Sequence, residues 1–240
     1  MQRWLISLGS IATIIGLALS LAPVGQAQGG RGAAGRGRGG FAQPPPPRAI
    51  AGRGVDVPGW WARLDDPKQM NLPLTFVASG GGLHATTGPN VIFWDPQQTA
   101  KGNFTVKATF TMTRLPNHQV AYGLFIGGQD LDKDTQRYSY FVIREDGKFL
   151  IKKRNGASTS NVGGDWADND AVVKPDASGK LSNELAIRVA DGQATFLANG
   201  KQVAEHPASA IDTDGVVGLR IGHMLDVQID GLTVDAQNKE

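Results

Sequence analysis

The 240-residue chain has no cysteine, four histidines and four glutamates. Past the first two dozen residues it also has no apolar run long enough to cross a bilayer. The absence of cysteine excludes disulfides, thiol catalysis, Cys-ligated zinc and lipoprotein acylation. The histidines are His84, His118, His206 and His223, and no two share an HxH or HxxxH spacing, which leaves a zinc site without its usual local signature. There is no Gly-x-Ser-x-Gly elbow and no P-loop, so serine-hydrolase and nucleotide chemistry have no support. No window of a dozen residues carries a helical apolar stripe.

The sequence divides by composition. Met1-Gln2-Arg3 is a short positive region, Trp4 to Leu21 is mostly apolar, and Gly25-Gln26-Ala27 puts small residues at the −3 and −1 positions of a peptidase site. This layout predicts a secretory signal over 1–27, cleaved after Ala27, and a periplasmic or extracellular destination. Residues 28–54 hold five arginines, no acid, GGRGAAGRGRGG and a four-proline run, which predicts a disordered linker with no apolar side chains to bury. From Val55 onward 18 Lys and Arg stand against 22 Asp and Glu, a formal −4. An acidic globular part argues against a nucleic-acid-binding core. A single domain is expected over 55–236, with a tail at 237–240 and no transmembrane segment after signal cleavage.

That domain reads as strands. Phe104, Val106, Ala108, Phe110 and Met112 alternate with Thr105, Lys107, Thr109, Thr111 and Thr113, which is period 2 over ten residues. Arg137 to Arg144 is an aromatic and β-branched run turned by Asp146-Gly147. Asp191-Gly192 and Asn199-Gly200 punctuate a three-strand meander. About a dozen short strands with Gly-rich turns predict a sandwich or barrel.

The passage from Asn183 to His206 and the following Asp214 to Val234 resemble the C-terminal half of concanavalin A-like and laminin-G-like jelly rolls. The pieces that match are Phe196 to Val203, Gly215 to Leu219 and Val227 to Val234. The pattern is most similar to secreted bacterial modules of the 3-keto-disaccharide hydrolase type. The resemblance implies an all-β sandwich of two antiparallel sheets, and glycan or polysaccharide as the partner. Fold alone does not assign function. One large glycosidase family of this fold places Glu-x-Asp-x-(x)-Glu on one strand. Glu145, Glu184, Glu205 and Glu240 form no such motif, which moves the expectation toward non-catalytic recognition. A glycoside-cleaving enzyme is the first alternative, and a structural or protein-interaction domain of the cell envelope the second.

Candidate residues follow from the chemistry of sugars, whose apolar C–H faces stack on rings while their hydroxyls need polar partners. Trp166 lies in a polar loop, Tyr138 and Tyr140 share a strand face with Arg144, and Trp94 and His84 lie at strand ends; these are the candidate ligand-binding residues. Trp60 and Trp61 are expected to pin the start of the sandwich. Asp226 and Asp230 fall on one strand face with Gln228, where they read as an acid–base pair, a cation site or a solvated outer face. Asp130, Asp132 and Asp134 form a D-x-D-x-D loop that leaves calcium open as a cofactor, although it lacks the Gly and distal Glu of an EF-hand.

Overall fold

The structure, a computed structural model, describes residues 54–236. The expected signal peptide, the linker up to residue 53 and the tail at 237–240 lie outside the described residues.

The described chain is strands and turns throughout. In order these are β1 (Val55–Asp56), β2 (Trp61–Leu64), β3 (Leu74–Ser79), β4 (Gly82–Thr87), β5 (Val91–Ala100), β6 (Phe104–Arg114), β7 (Tyr122–Gln129) and β8 (Arg137–Ile143). Then come β9 (Lys148–Asn155), β10 (Ser158–Asn161), β11 (Ala167–Asp168), β12 (Leu181–Ala190), β13 (Gln193–Ala198), β14 (Lys201–Pro207), β15 (Gly215–Ile221) and β16 (Asp226–Ala236). Two single 3-10 turns, Pro67–Gln69 and Ala208–Ala210, are the helical elements among the described residues.

The strands form two sheets. Sheet I runs β1-β3-β4-β16-β6-β12-β13-β14, and sheet II runs β10-β9-β8-β7-β15-β5-β2 with β11 paired to β9. Every pairing is antiparallel except the short β1–β3 contact. The protein is therefore the expected jelly-roll sandwich. Consecutive strands β15 and β16 lie in different sheets, so the chain crosses the core between them.

Alternation decides which side of each strand is covered. On β6 the five apolar residues from Phe104 to Met112 are buried, while Lys107 is exposed and Thr105, Thr109 and Thr111 are partly so. Across from them β12 pairs over nine residues, from Leu181↔Met112 to Val189↔Phe104, and buries Leu185 and Ile187 against the same core. Register is fixed at the turns. Asp191 and Gly192 have φ of 51° and 77°, and Asn199 and Gly200 have 50° and 74°. These left-handed values suit two-residue hairpin loops, whose twist matches that of the strands. Between the sheets Phe76 stacks on Phe93 with centroids 4.2 Å apart. Asn183 is buried there, and its amide is satisfied by the backbone of Val173 and the side chain of Asn199.

Candidate functional site

Sheet II is apolar on both faces. Val91, Phe93, Leu124, Phe141 and Ile151 point into the sandwich. Ile92, Trp94, Phe125, Tyr138, Tyr140, Val142 and Leu150 form a second buried cluster on the outward side, completed by Leu131 from the loop after β7. This explains why Arg137 to Ile143 reads as a continuous aromatic and β-branched run: six of its seven residues are buried. Two glycines make room for the rings. A Cβ on Gly218 would stand 2.4 Å from the Phe93 carbonyl and 2.6 Å from Phe125 Cε1, so the Phe125 ring lies over a position that must have no side chain. Gly123 is confined in the same way by the Phe141 carbonyl, at 2.1 Å. Tyr138 packs between Phe125 and Tyr140, with centroids 5.2 and 5.6 Å away.

A layer of guanidinium groups covers this cluster. Arg220 on β15 grips Asp65, just past β2, through two hydrogen bonds, Nη1–Oδ1 at 3.0 Å and a short Nη2–Oδ2 contact. Arg154 on β9 reaches the same carboxylate at 3.5 Å. The Arg220 guanidinium lies 5.7 Å above the Tyr140 ring. Arg144 pairs with Asp146 at 3.2 and 2.6 Å and lies 4.2 Å over the Trp166 ring. Arg63 on β2 donates to the Leu131 carbonyl at 3.3 Å and to Asp134 at 3.1 Å, leaving its buried Nε without a partner among the described residues. Burial pushes the Tyr138 phenol up to about 12, against the opposing pull of Arg220, and raises Tyr140 for the same reason. Both phenols therefore stay protonated at neutral pH. Burial pulls Arg220 down, but Asp65 more than offsets it, and the guanidinium stays charged.

At one end of this face is a pocket of about 290 Å³ lined by Trp61, Trp94, Pro96, Gly128, Asp130, Leu131, Asp132 and Val216. It owes its shape to an irregularity in the β15–β5 pairing, where Gly218 opposes Trp94 but Val216 opposes Thr99. The extra residues bend the strand, and Pro96, which has no N–H to give a ladder, sits among them. Trp61 is 37% exposed here. The expectation that it pins the sandwich is corrected: Trp60 does so, buried against Phe76, while Trp61 on the opposite strand face opens to the pocket.

Cross-strand pairing lines up Trp61, Trp94, Gly218, Phe125, Tyr140 and Lys152 in one row perpendicular to the strands. From Trp94 to Lys152 the row crosses four strand spacings, about 19 Å. Along it Trp61 presents an exposed ring at one end and Lys152 a partly exposed ammonium at the other, while Trp94, Phe125 and Tyr140 are buried between them; the ends offer stacking and hydroxyl partners.

The sequence-derived candidates separate into two places. Trp94, Tyr138, Tyr140, Arg144 and Trp166 all belong to the outward side of sheet II. Within it Tyr138 is buried among the rings, and one face of Trp166 is already occupied by Arg144. His84, Asp226 and Asp230 lie on the outward side of sheet I instead. There His84 Nε2 and Asp226 Oδ1 are 2.8 Å apart, and Thr113 also donates to that oxygen. Burial would raise the Asp226 carboxyl, but the bonds from Thr113 and His84 hold it below the usual carboxylate range. Asp230 takes the Gln228 amide at 2.9 Å. Four residues along a strand put the two aspartates about 13 Å apart at the backbone, longer than the separation glycosidase carboxyl pairs use.

The D-x-D-x-D loop folds against sheet II without gathering its carboxylates. Asp130 is held by Lys133 at 2.7 Å and Thr135 at 3.2 Å, and Asp134 by Arg63. Among the described residues, no group of three or more His, Asp or Glu side chains is placed to hold a metal ion. Sequence reasoning passed over Asp65, Arg154, Arg220, Arg63 and Lys152, which meet only through strand pairing. Spacing along the chain also gave no sign that His118 and His223, 105 residues apart, bring their Nε2 atoms to 2.8 Å from each other.

No family model matches the chain, and no curated protein matches it in sequence. Solved structures do match in fold. A carbohydrate binding module, CBM66, from Bacillus subtilis superposes with a TM-score of 0.54 at 12% identity, covering 76% of this chain and 98% of that one. A Bacillus subtilis protein of unknown function with a galectin-like fold gives 0.52 at 14%, covering 74% and 94%. At these identities the likeness is one of fold.

Proposed function

We propose that this is an exported carbohydrate-recognition protein that binds a glycan across the outward side of sheet II, without catalysis. The observation that carries the reading is the composition of that face. Trp61 is exposed there beside the buried Trp94 in a pocket bordered by Asp130 and Asp132, and arginines are fixed over the rest of the face, whereas β6 on the outward side of sheet I presents only Thr and Lys. Aromatic platforms bordered by immobilised hydrogen-bonding groups suit sugar rings, because the apolar ring face and the hydroxyl edge are both answered. The fold shared with a carbohydrate binding module supports the same reading. Export rests on the signal sequence, and N-terminal sequencing of the secreted protein is expected to begin at Gln28.

A screen of immobilised glycans with wild type and Trp61→Ala tests the recognition claim. Binding that Trp61→Ala removes is expected. A folded protein that retains no glycan overturns it.

A second reading, a hydrolase of the 3-keto-disaccharide type, is favoured by the His84–Asp226 pair on sheet I, which is built like an oriented general base. Turnover of 3-keto-glucosides that His84→Ala abolishes would establish it, and a parent rate equal to buffer would remove it.

A further inference from the structure

We infer that the glycan taken by this face is acidic: a uronate carboxylate sits against Lys152 and Arg154, with an uncharged ring in the Trp61–Trp94 pocket. The inference rests on the carbohydrate reading above and adds the chemical class of the ligand.

It follows from where charge is balanced and where it is not. Arg144 has Asp146, and Arg63 has Asp134. Arg220 and Arg154, whose side chains are only 12% and 11% exposed, share the single carboxylate of Asp65. One carboxylate cannot neutralise two guanidinium groups, so this part of the face keeps a positive charge in surroundings that hold little water to screen it. Lys152, the next outward residue on β9, adds a further cation with no ion-pair partner among the described residues. The neighbouring outward positions on β10 are Thr159 and Asn161, opposite Arg154 and Lys152, and both are uncharged. Tyr140, beside Lys152, contributes a phenol that burial keeps as a neutral donor. A planar carboxylate set between ammonium, guanidinium and phenol would take charge-assisted bonds from each.

The other end of the row has the opposite character. Asp130 and Asp132 line the tryptophan pocket, and Lys133 forms its ion pair with Asp130. A carboxylate there would meet like charge, whereas the hydroxyls of a neutral sugar would find acceptors. The row therefore fits a saccharide with an acidic residue at one end and an uncharged residue at the other, spanning the roughly 19 Å between Trp94 and Lys152. A polymer charged at every residue fits it less well.

The test uses tetrasaccharides of hyaluronan and of glucuronoxylan, each beside its carboxyl-reduced counterpart, which keeps the ring and loses the charge. Calorimetric titration of the full protein is expected to give at least about tenfold tighter binding to a uronate form than to its reduced form. The preference should shrink in 0.5 M NaCl. Lys152→Gln should abolish it, while Lys107→Gln, on the exposed side of sheet I, should leave it unchanged. Equal binding of charged and reduced forms, or a preference that survives Lys152→Gln, overturns the inference and leaves carbohydrate recognition standing. Tight binding to neutral glycans only does the same. A folded protein that binds no saccharide in either form overturns both.

Discussion

Replacing Asp65 by alanine isolates the feature on which the candidate site depends. Among the described residues its carboxylate is the only acid gripping Arg220, and it also faces Arg154. Removing one partner of a buried ion pair costs about 3–5 kcal/mol, because the surviving charge is left desolvated. Here the Asp65 side chain is 28% exposed and that of Arg220 12%, and water reaching the carboxylate position recovers part of the loss. Arg154 also keeps its bond to the Gly156 carbonyl at 3.0 Å. The expected cost is therefore about 2–4 kcal/mol, or a fall in melting temperature of roughly 5–15 °C for a domain of this size. Urea unfolding reads it as a lower midpoint at unchanged slope. The double variant Asp65→Ala/Arg220→Met removes the orphaned charge and should recover at least half of the loss, a coupling that contacting residues show and independent ones do not. A single-variant cost below about 0.5 kcal/mol, or a double variant whose cost is the sum of the two singles, would refute this account of the charge layer.

Trp94→Ala should cost about 3–5 kcal/mol in the same assay, since Trp94 is 3% exposed. Trp61→Ala should stay within about 1 kcal/mol while weakening glycan binding; equal stability losses would mean that Trp61 is structural. Gly218→Val should leave the protein misfolded or insoluble, because its Cβ has no space beside the Phe93 carbonyl and the Phe125 ring; a soluble variant with parental melting would contradict the packing. Burial and the neighbouring His118 hold the His223 imidazole below its ordinary value. The native state therefore binds fewer protons than the unfolded chain, and stability should fall as pH drops through about 6.5. His223→Gln should flatten that part of the pH–stability curve. Asp226 acts in the same direction lower down. Its depressed carboxyl contributes stability above about pH 4 that is lost on further acidification, so Asp226→Asn should flatten only the acid limb.

The fold was legible because it rests on local signals. The alternation from Phe104 to Thr113, the Asp191-Gly192 and Asn199-Gly200 turns and the absence of a helical stripe each report on backbone geometry within a few residues, and each matches the structure. That the aromatic candidates share one side of a sheet was legible for a related reason. Tyr138 and Tyr140 share parity on β8, and Arg144 continues it one residue past the strand, so period 2 alone puts them on one face.

What could not be read was which side of which sheet each strand would present. Asp226 and Asp230 show the same parity logic as the tyrosines, yet β16 belongs to sheet I and its outward side is 142 residues of chain away from a partner such as His84. Arg220 and Asp65 are 155 residues apart, and nothing in the local composition of either announces the pair. Trp61 was misjudged because a tryptophan doublet at the start of a domain gives no hint that the first ring is buried and the second opens to the surface. The D-x-D-x-D spacing suggested ligands for a cation, whereas Lys133, Thr135 and Arg63 take up two of its three carboxylates.

The central claim is that sheet II, and not sheet I, carries the binding face. The most direct measurement compares Trp61→Ala/Lys152→Gln with His84→Ala/Asp226→Asn on one glycan panel, after circular dichroism has shown that both are folded. The account predicts that the first pair loses binding to every saccharide the parent holds and that the second pair retains it. Loss confined to the His84→Ala/Asp226→Asn protein would contradict it and move the site to the other side of the sandwich.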